Sequence, residues 1–118
     1  MKVDKLNKEL RELSNIPGVK ACILYRLDGE IIQVRIPGDK NEIIKLMKWM
    51  KNQVKYVINE IKKKNLDSVD FSFDELQVVF YPSSQSTVLA VVTEEEAHRD
   101  LIKMEAIGTR DKVNKIIT

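Results

Sequence analysis

The sequence predicts an α+β fold with the element order α-β-β-α-β-β-β-α. Apolar residues recur at helical spacing near both ends and along residues 40–64, and five shorter segments carry strand patterns. Short connections join the successive strands, which favours an antiparallel sheet with helices on its faces. The chain has 118 residues, of which 43% are hydrophobic, so we expect a single domain over residues 1–118.

The first half of the chain predicts a helix, a hairpin and a long second helix. Residues 3–13 carry an apolar stripe at helical spacing, and residues 19–27 are apolar on both faces, as in a central strand. Asp28-Gly29 predicts a tight type I′ turn, and residues 30–36 alternate as an edge or half-exposed strand. Asp39 is a suitable N-cap for a helix over residues 40–64.

The second half predicts three strands and a last helix. Residues 68–74 alternate strictly, residues 75–81 are richer in apolar groups, and residues 88–92 form an unbroken apolar run. Thr93 is expected to cap the last helix, with three glutamates at residues 94–96 in its first turn. That helix carries Ala97, Leu101 and Met104 on one face, and Gly108 either ends it or lets it pass close to the sheet.

These elements resemble the roadblock family, the dynein-light-chain relatives. The resemblance is carried by the leucines of the first helix, the IPGV turn at residues 16–19, LDGEII at residues 27–32 and the long second helix. It implies a five-stranded antiparallel sheet with helix two on one face and the terminal helices on the other. It also implies a homodimer made by helix two and the third strand, and a platform that binds a small Ras-like GTPase without contributing a catalytic side chain.

Aromatic residues on helix two point to an interface. Trp49 and Tyr56 are seven residues apart, so they share one face of the helix, away from the core stripe. Trp and Tyr are enriched in protein interfaces, although a wide core that wraps over the helix would also hold them. The third strand adds an apolar face whose side chains are expected in the core, while its backbone edge joins the dimer. That face consists of Val69, Phe71 and Phe73.

Lysines crowd another part of helix two, and we expect them to meet the GTPase partner. An ordinary solvated helix face is the alternative, because Lys is a common surface residue of helices. Nucleic-acid binding is not favoured, since the net charge is only +2 and few aromatics accompany the basic residues. The lysines concerned are Lys45, Lys48, Lys51 and Lys55.

The sequence argues against an enzyme, a cofactor and a metal site. Cys22 and His98 are single residues of their kinds, and no glycine pattern forms a phosphate loop. The N-terminus has no apolar run of the secretory type, so a cytoplasmic location without a membrane span is expected. A PAS-like small-molecule sensor is the alternative function. Such sensors usually place several short helices after strand two, where this chain has one long helix.

Overall fold

The computed structural model describes residues 1–95 and 97–118, so Glu96 lies outside the described part of the chain. The elements follow the predicted order. They are α1 (Lys2–Ser14), β1 (Val19–Arg26), β2 (Ile31–Arg35), α2 (Lys40–Lys64), β3 (Val69–Phe73), β4 (Leu76–Pro82), β5 (Thr87–Glu94) and α3 (Arg99–Ile117).

The five strands form one antiparallel sheet in the order β2-β1-β5-β4-β3. The two strands with the longest apolar runs, β1 and β5, are neighbours inside the sheet, as their two-sided burial requires. The half-exposed strands β2 and β3 are its edges. The prediction of a five-stranded antiparallel sheet is therefore confirmed.

Helix α2 covers one face of the sheet. Its buried stripe packs on alternate residues of β1, β4 and β5, including Ile23, Phe80 and Ala90. Tyr25 is fully buried between the layers, and its hydroxyl donates a hydrogen bond to the carbonyl oxygen of Met47, 3.4 Å away. The stripe consists of Ile43, Met50, Val54, Val57, Ile58 and Ile61.

Helices α1 and α3 pack side by side on the opposite face. The buried leucines of α1 contact the other set of strand residues, such as Leu24, Leu89 and Val91. Val3, in the first turn of α1, is exposed, so the buried part of the predicted stripe begins at Leu6. The predicted placement of helix two on one face and the terminal helices on the other is confirmed.

The β1–β2 hairpin differs from the type I′ prediction. A type I′ turn needs positive φ at both central residues, but here Gly29 alone has it, at 90°. The amide of Gly29 donates to the carbonyl of Arg26, and the amide of Arg26 donates to the carbonyl of Glu30. This is a three-residue loop with a glycine bulge. Asp28 uses its carboxylate to accept from the amide of Glu30 and to pair with Arg26, so it needs no left-handed backbone.

The last helix begins later in the chain than the sequence predicts. Thr93 pairs with Gln77 and Glu94 with Leu76, so both belong to β5 and Thr93 caps no helix. Pairing on the sheet outweighs the local cap signal, because each paired residue joins the hydrogen-bonded ladder. Helix α3 begins at Arg99, with His98 at the N-cap. The third predicted first-turn glutamate, Glu96, lies outside the described residues.

The buried face of α3 is not the predicted one. Leu101 and Met104 are exposed, whereas the helix packs through Ile102, Ala106 and Val113. The sequence analysis began this helix directly after Thr93 and chose its buried face from Ala97, but Ala97 precedes the first residue of α3. Helix α3 continues through Gly108, and a Cβ at that position would meet no atom within 4 Å. Gly108 therefore neither ends the helix nor brings it close to the sheet.

Two glycine substitutions test these backbone assignments. We expect Gly108→Ala to raise the free energy of unfolding by about 0.5–1 kcal/mol, because alanine is the better residue inside a helix with open space around it. Gly29→Ala should lower it by about 1–2 kcal/mol, since its φ is 90° and a Cβ would lie 3.0 Å from Cγ of Lys51. Urea unfolding measures both values. Equal effects of the two substitutions would contradict the assigned backbone conformations.

Candidate functional site

An aromatic cluster joins α2 to the edge strand β3. The ring of Trp49 lies edge-on to Phe71 at a centroid distance of 4.9 Å and to Phe73 at 4.5 Å. Phe71 in turn meets the buried Phe80 at 5.7 Å. Edge-to-face pairs of this kind stabilise beyond the burial of area, by about 0.5–1.5 kcal/mol each. Trp49 therefore holds α2 against the sheet edge and is only partly available to a partner.

Tyr56 lies on the same side of α2 but has no such support. It is 52% exposed, although a tyrosine ring carries a large apolar area. Tyr56 lies two helical turns beyond Trp49, so both rings are on one flank of α2. We call Trp49, Tyr56, Phe71 and Phe73 the aromatic flank.

The backbone edge of β3 lies beside this flank. Its inner edge pairs with β4 over residues 69–73, and the other edge faces away from the sheet. The side chains of Val69, Phe71 and Phe73 are half-buried and pack on the core, as expected. Asp70 and Ser72 are exposed on the opposite face. The structure thus packs Trp49, Val69, Phe71 and Phe73 on one core cluster, and Tyr56 lies on the same flank of α2 as Trp49.

The lysines lie on the other flank of α2. At about 100° per residue, Lys48, Lys51 and Lys55 are about 80–140° from Ile43 on one side, and Trp49 is about 120° away on the other. Contacts agree with this geometry, since the Lys51 ammonium lies 3.9 Å from the carboxylate of Glu30, in the β1–β2 hairpin. We call Lys48, Lys51 and Lys55 the basic flank. The fourth lysine, Lys45, points outward between the two flanks.

A polar groove lies on the opposite face of the sheet, and the sequence reasoning missed it. It has a volume of about 210 Å³, and its floor crosses three strands through Asp70, Gln77 and Thr93. The first turns of α3 form its wall with Arg99 and Lys103. The sequence analysis ended the last strand at residue 92 and made Thr93 a helix cap. It therefore did not place Thr93 beside Gln77 on the sheet.

Cys22 and His98 do not form a reactive site. Cys22 is fully buried in β1, and burial raises the pKa of its thiol, so the thiolate is disfavoured. His98 is exposed at the start of α3. Within residues 1–95 and 97–118, no group of three His, Cys, Asp or Glu side chains is placed to hold a metal ion.

A family model described as AF0774-like protein matches residues 2–107. The chain belongs to the AF0774-like protein family. No curated protein matches this AF0774-like chain at a significant level. Among the described segments, no helix is both long and apolar enough to cross a bilayer.

Solved structures similar to this AF0774-like protein share the roadblock fold. The gliding protein MglB of Thermus thermophilus aligns with a TM-score of 0.80 at 10% identity, over 98% of this chain and 90% of that chain. MglB of Myxococcus xanthus gives 0.81 at 14% identity, over 98% and 89%. A Roadblock/LC7 domain from Streptomyces avermitilis gives 0.75 at 16% identity, over 94% and 96%. The predicted roadblock fold is therefore confirmed.

The buried position of Tyr81 in the groove can be tested through the free energy of unfolding at alkaline pH. Burial, and secondarily the charge of Asp70, raise the pKa of Tyr81 to about 12 from an ordinary value of about 10. A raised pKa in the folded state contributes stability that is complete below pH 10 and is lost as the pH rises through 12. We expect urea unfolding midpoints to fall across this range, and to fall less in Tyr81→Phe. An equal fall of the midpoint in the wild type and in Tyr81→Phe would contradict the buried environment assigned to the Tyr81 hydroxyl.

Proposed function

We propose that this AF0774-like protein is a homodimeric protein-binding module that binds a small Ras-like GTPase and regulates or scaffolds it. The observation that carries the proposal is the aromatic flank beside an unpaired strand edge, on a roadblock fold. The resemblance to the roadblock family implies a dimer built from these same two elements, helix two and the third strand. The proposal assigns no catalytic side chain and no cofactor to the chain.

The physical case for a dimer rests on the edge of β3 and on Tyr56. An unpaired strand edge presents backbone donors and acceptors that pair readily with another chain. Pairing β3 with its copy would satisfy those groups and extend the sheet across the two-fold axis. The same contact would bring α2 of each subunit together and bury Tyr56. One solved MglB has a tetrameric arrangement, so a protein of this fold does associate.

The basic flank supplies the second surface of the proposal. It faces the β2 side of the molecule, so dimer formation through β3 would leave it accessible. Lysines here would attract an acidic surface of the GTPase and speed association, whereas apolar contacts would supply most of the affinity. The single long α2 occupies the place where a PAS-like sensor usually has several short helices, and buried side chains fill the space beneath it. These features favour a protein-binding module over a sensor of that kind.

Solution mass tests the dimer. We expect light scattering after size exclusion to give about 27 kDa, twice the 13.6 kDa chain. Tyr56→Glu should weaken the dimer by at least tenfold, because it would bury a charge and remove a tyrosine, a residue type enriched among interface positions whose truncation costs about 2 kcal/mol or more. Trp49 is a poorer choice, since its loss would also remove contacts to Phe71 and Phe73 within the chain.

The matched control for this experiment is Ile44→Glu. Ile44 lies on the opposite flank of α2 and is 49% exposed, close to the exposure of Tyr56. It should leave the mass unchanged. A monomeric wild type, or equal weakening by both substitutions, would remove the proposed interface.

Binding kinetics test the GTPase part of the proposal. Ras-like GTPases from the source organism, loaded with GDP or a GTP analogue, would be titrated by interferometry onto the immobilised protein. We expect Lys48→Glu with Lys55→Glu to lower the association rate constant by about tenfold at low salt, because charge complementarity acts mainly on encounter. The control is the same charge change on α1, Lys5→Glu with Lys8→Glu. Binding that is unaffected by the flank substitutions would place the GTPase elsewhere on the module.

A further inference from the structure

The polar groove between α3 and the open part of the sheet carries an inference beyond protein binding. Its floor holds two hydroxyls that make no side-chain hydrogen bond to the described residues. Tyr81 is 3% exposed and Thr93 4% exposed, so both side chains are more than nine-tenths buried. Neither hydroxyl has a hydrogen-bond partner among residues 1–95 and 97–118. Both residues line the groove, and no fully enclosed polar side-chain atom of those residues lacks a partner.

Gln77 adds a partly used amide to the same floor. Its Nε2 donates to a carboxylate oxygen of Asp70 at 3.5 Å, the outer limit for such a bond, and the residue is 7% exposed. Gln77 lies directly opposite Thr93 on the neighbouring strand, so the amide and the hydroxyl share one face. Buried polar groups in proteins are normally satisfied, and groups left open in a concave site point to a ligand or ordered water.

The rim of the groove carries both signs of charge. Arg99 and Lys103 stand one helical turn apart on α3, while Asp70 lies on β3 and Asp100 follows Arg99. The ion pairs found among the described residues involve none of these four side chains. The first turn of α3 also has no side-chain cap, so its positive end adds to the cationic wall.

We propose that this groove binds a free α-amino acid. Its carboxylate would meet Arg99 and Lys103, its ammonium would meet Asp70, and the hydroxyls of Tyr81 and Thr93 would fix its orientation. A ligand with a single charge would leave one half of the rim unused. The volume of about 210 Å³ is below that of pockets for drug-sized ligands, which suits a molecule of this size.

The groove and the proposed dimer surface lie on different faces of the sheet. Tyr81 and Thr93 point away from α2, whereas Tyr56 lies on α2 itself. Amino-acid binding and dimer formation can therefore fail independently. The groove also differs in place from the pocket that a PAS-like sensor would have beneath the helix after strand two.

Calorimetric titration of the full chain with the common L-amino acids tests the proposal. Acetate and methylammonium serve as probes that carry one charge each. We expect saturable binding of at least one amino acid at micromolar to millimolar concentration, and at least tenfold weaker binding of both single-charge probes. Absence of amino-acid binding at millimolar concentration would overturn the proposal, as would acetate binding with equal affinity.

Conservative variants then locate the site. Tyr81→Phe removes only the hydroxyl and should raise the Kd about five- to tenfold, the effect of one lost hydrogen bond. Asp70→Asn should raise it at least tenfold for the amino acid and leave acetate unaffected. The matched control for the charge change is Asp4→Asn on α1, which should leave the Kd unchanged. Equal Kd values for Tyr81→Phe, Asp70→Asn and the wild type would place the ligand outside this groove and overturn the assignment.

Discussion

Two strands that are apolar on both faces set the architecture of this protein. Because β1 and β5 carry buried residues in nearly every position, neither face of the sheet centre can be left in contact with water. Helix α2 covers one face, and α1 with α3 covers the other. The edge positions are left to the half-polar strands β2 and β3. Every surface with a proposed role is a consequence of this arrangement.

The cover is incomplete, and the uncovered parts are where function is proposed. Among the described residues, three helices cover the centre of the sheet but leave the outer edge of β3 unpaired and the polar face of β3 and β4 open. On the α2 side the open region is aromatic, through Tyr56 and the Trp49 cluster. On the other side it is polar, through Asp70 and Gln77. One side of the sheet near β3 thus carries an apolar surface, where we propose a second subunit, and the other a charged groove, where we propose a small molecule.

Helix α2 keeps its two kinds of side chain apart. The aromatic flank turns toward β3 and the basic flank toward β2, with the buried stripe between them. Burial of aromatics supplies affinity, while charges at a rim act on encounter rates and specificity. In the proposed assembly, this separation would let a single helix make a subunit contact through one flank and meet a charged partner through the other. The sequence analysis grouped Lys45 with Lys48, Lys51 and Lys55, whereas at about 100° per residue Lys45 lies between the two flanks.

Periodicity and turn residues in the sequence were sufficient for the element order, the central strands and the extent of α2, because these depend on local pattern and on burial along each element. Only the tertiary structure decided the features that depend on contact with a residue distant in the sequence. Thr93 has the local signal of a helix cap, but its pairing with Gln77 on the neighbouring strand places it in β5. The groove could not be seen in the sequence at all, because its residues come from β3, β4, β5 and α3. Only folding brings those elements together, and no local spacing records that they meet.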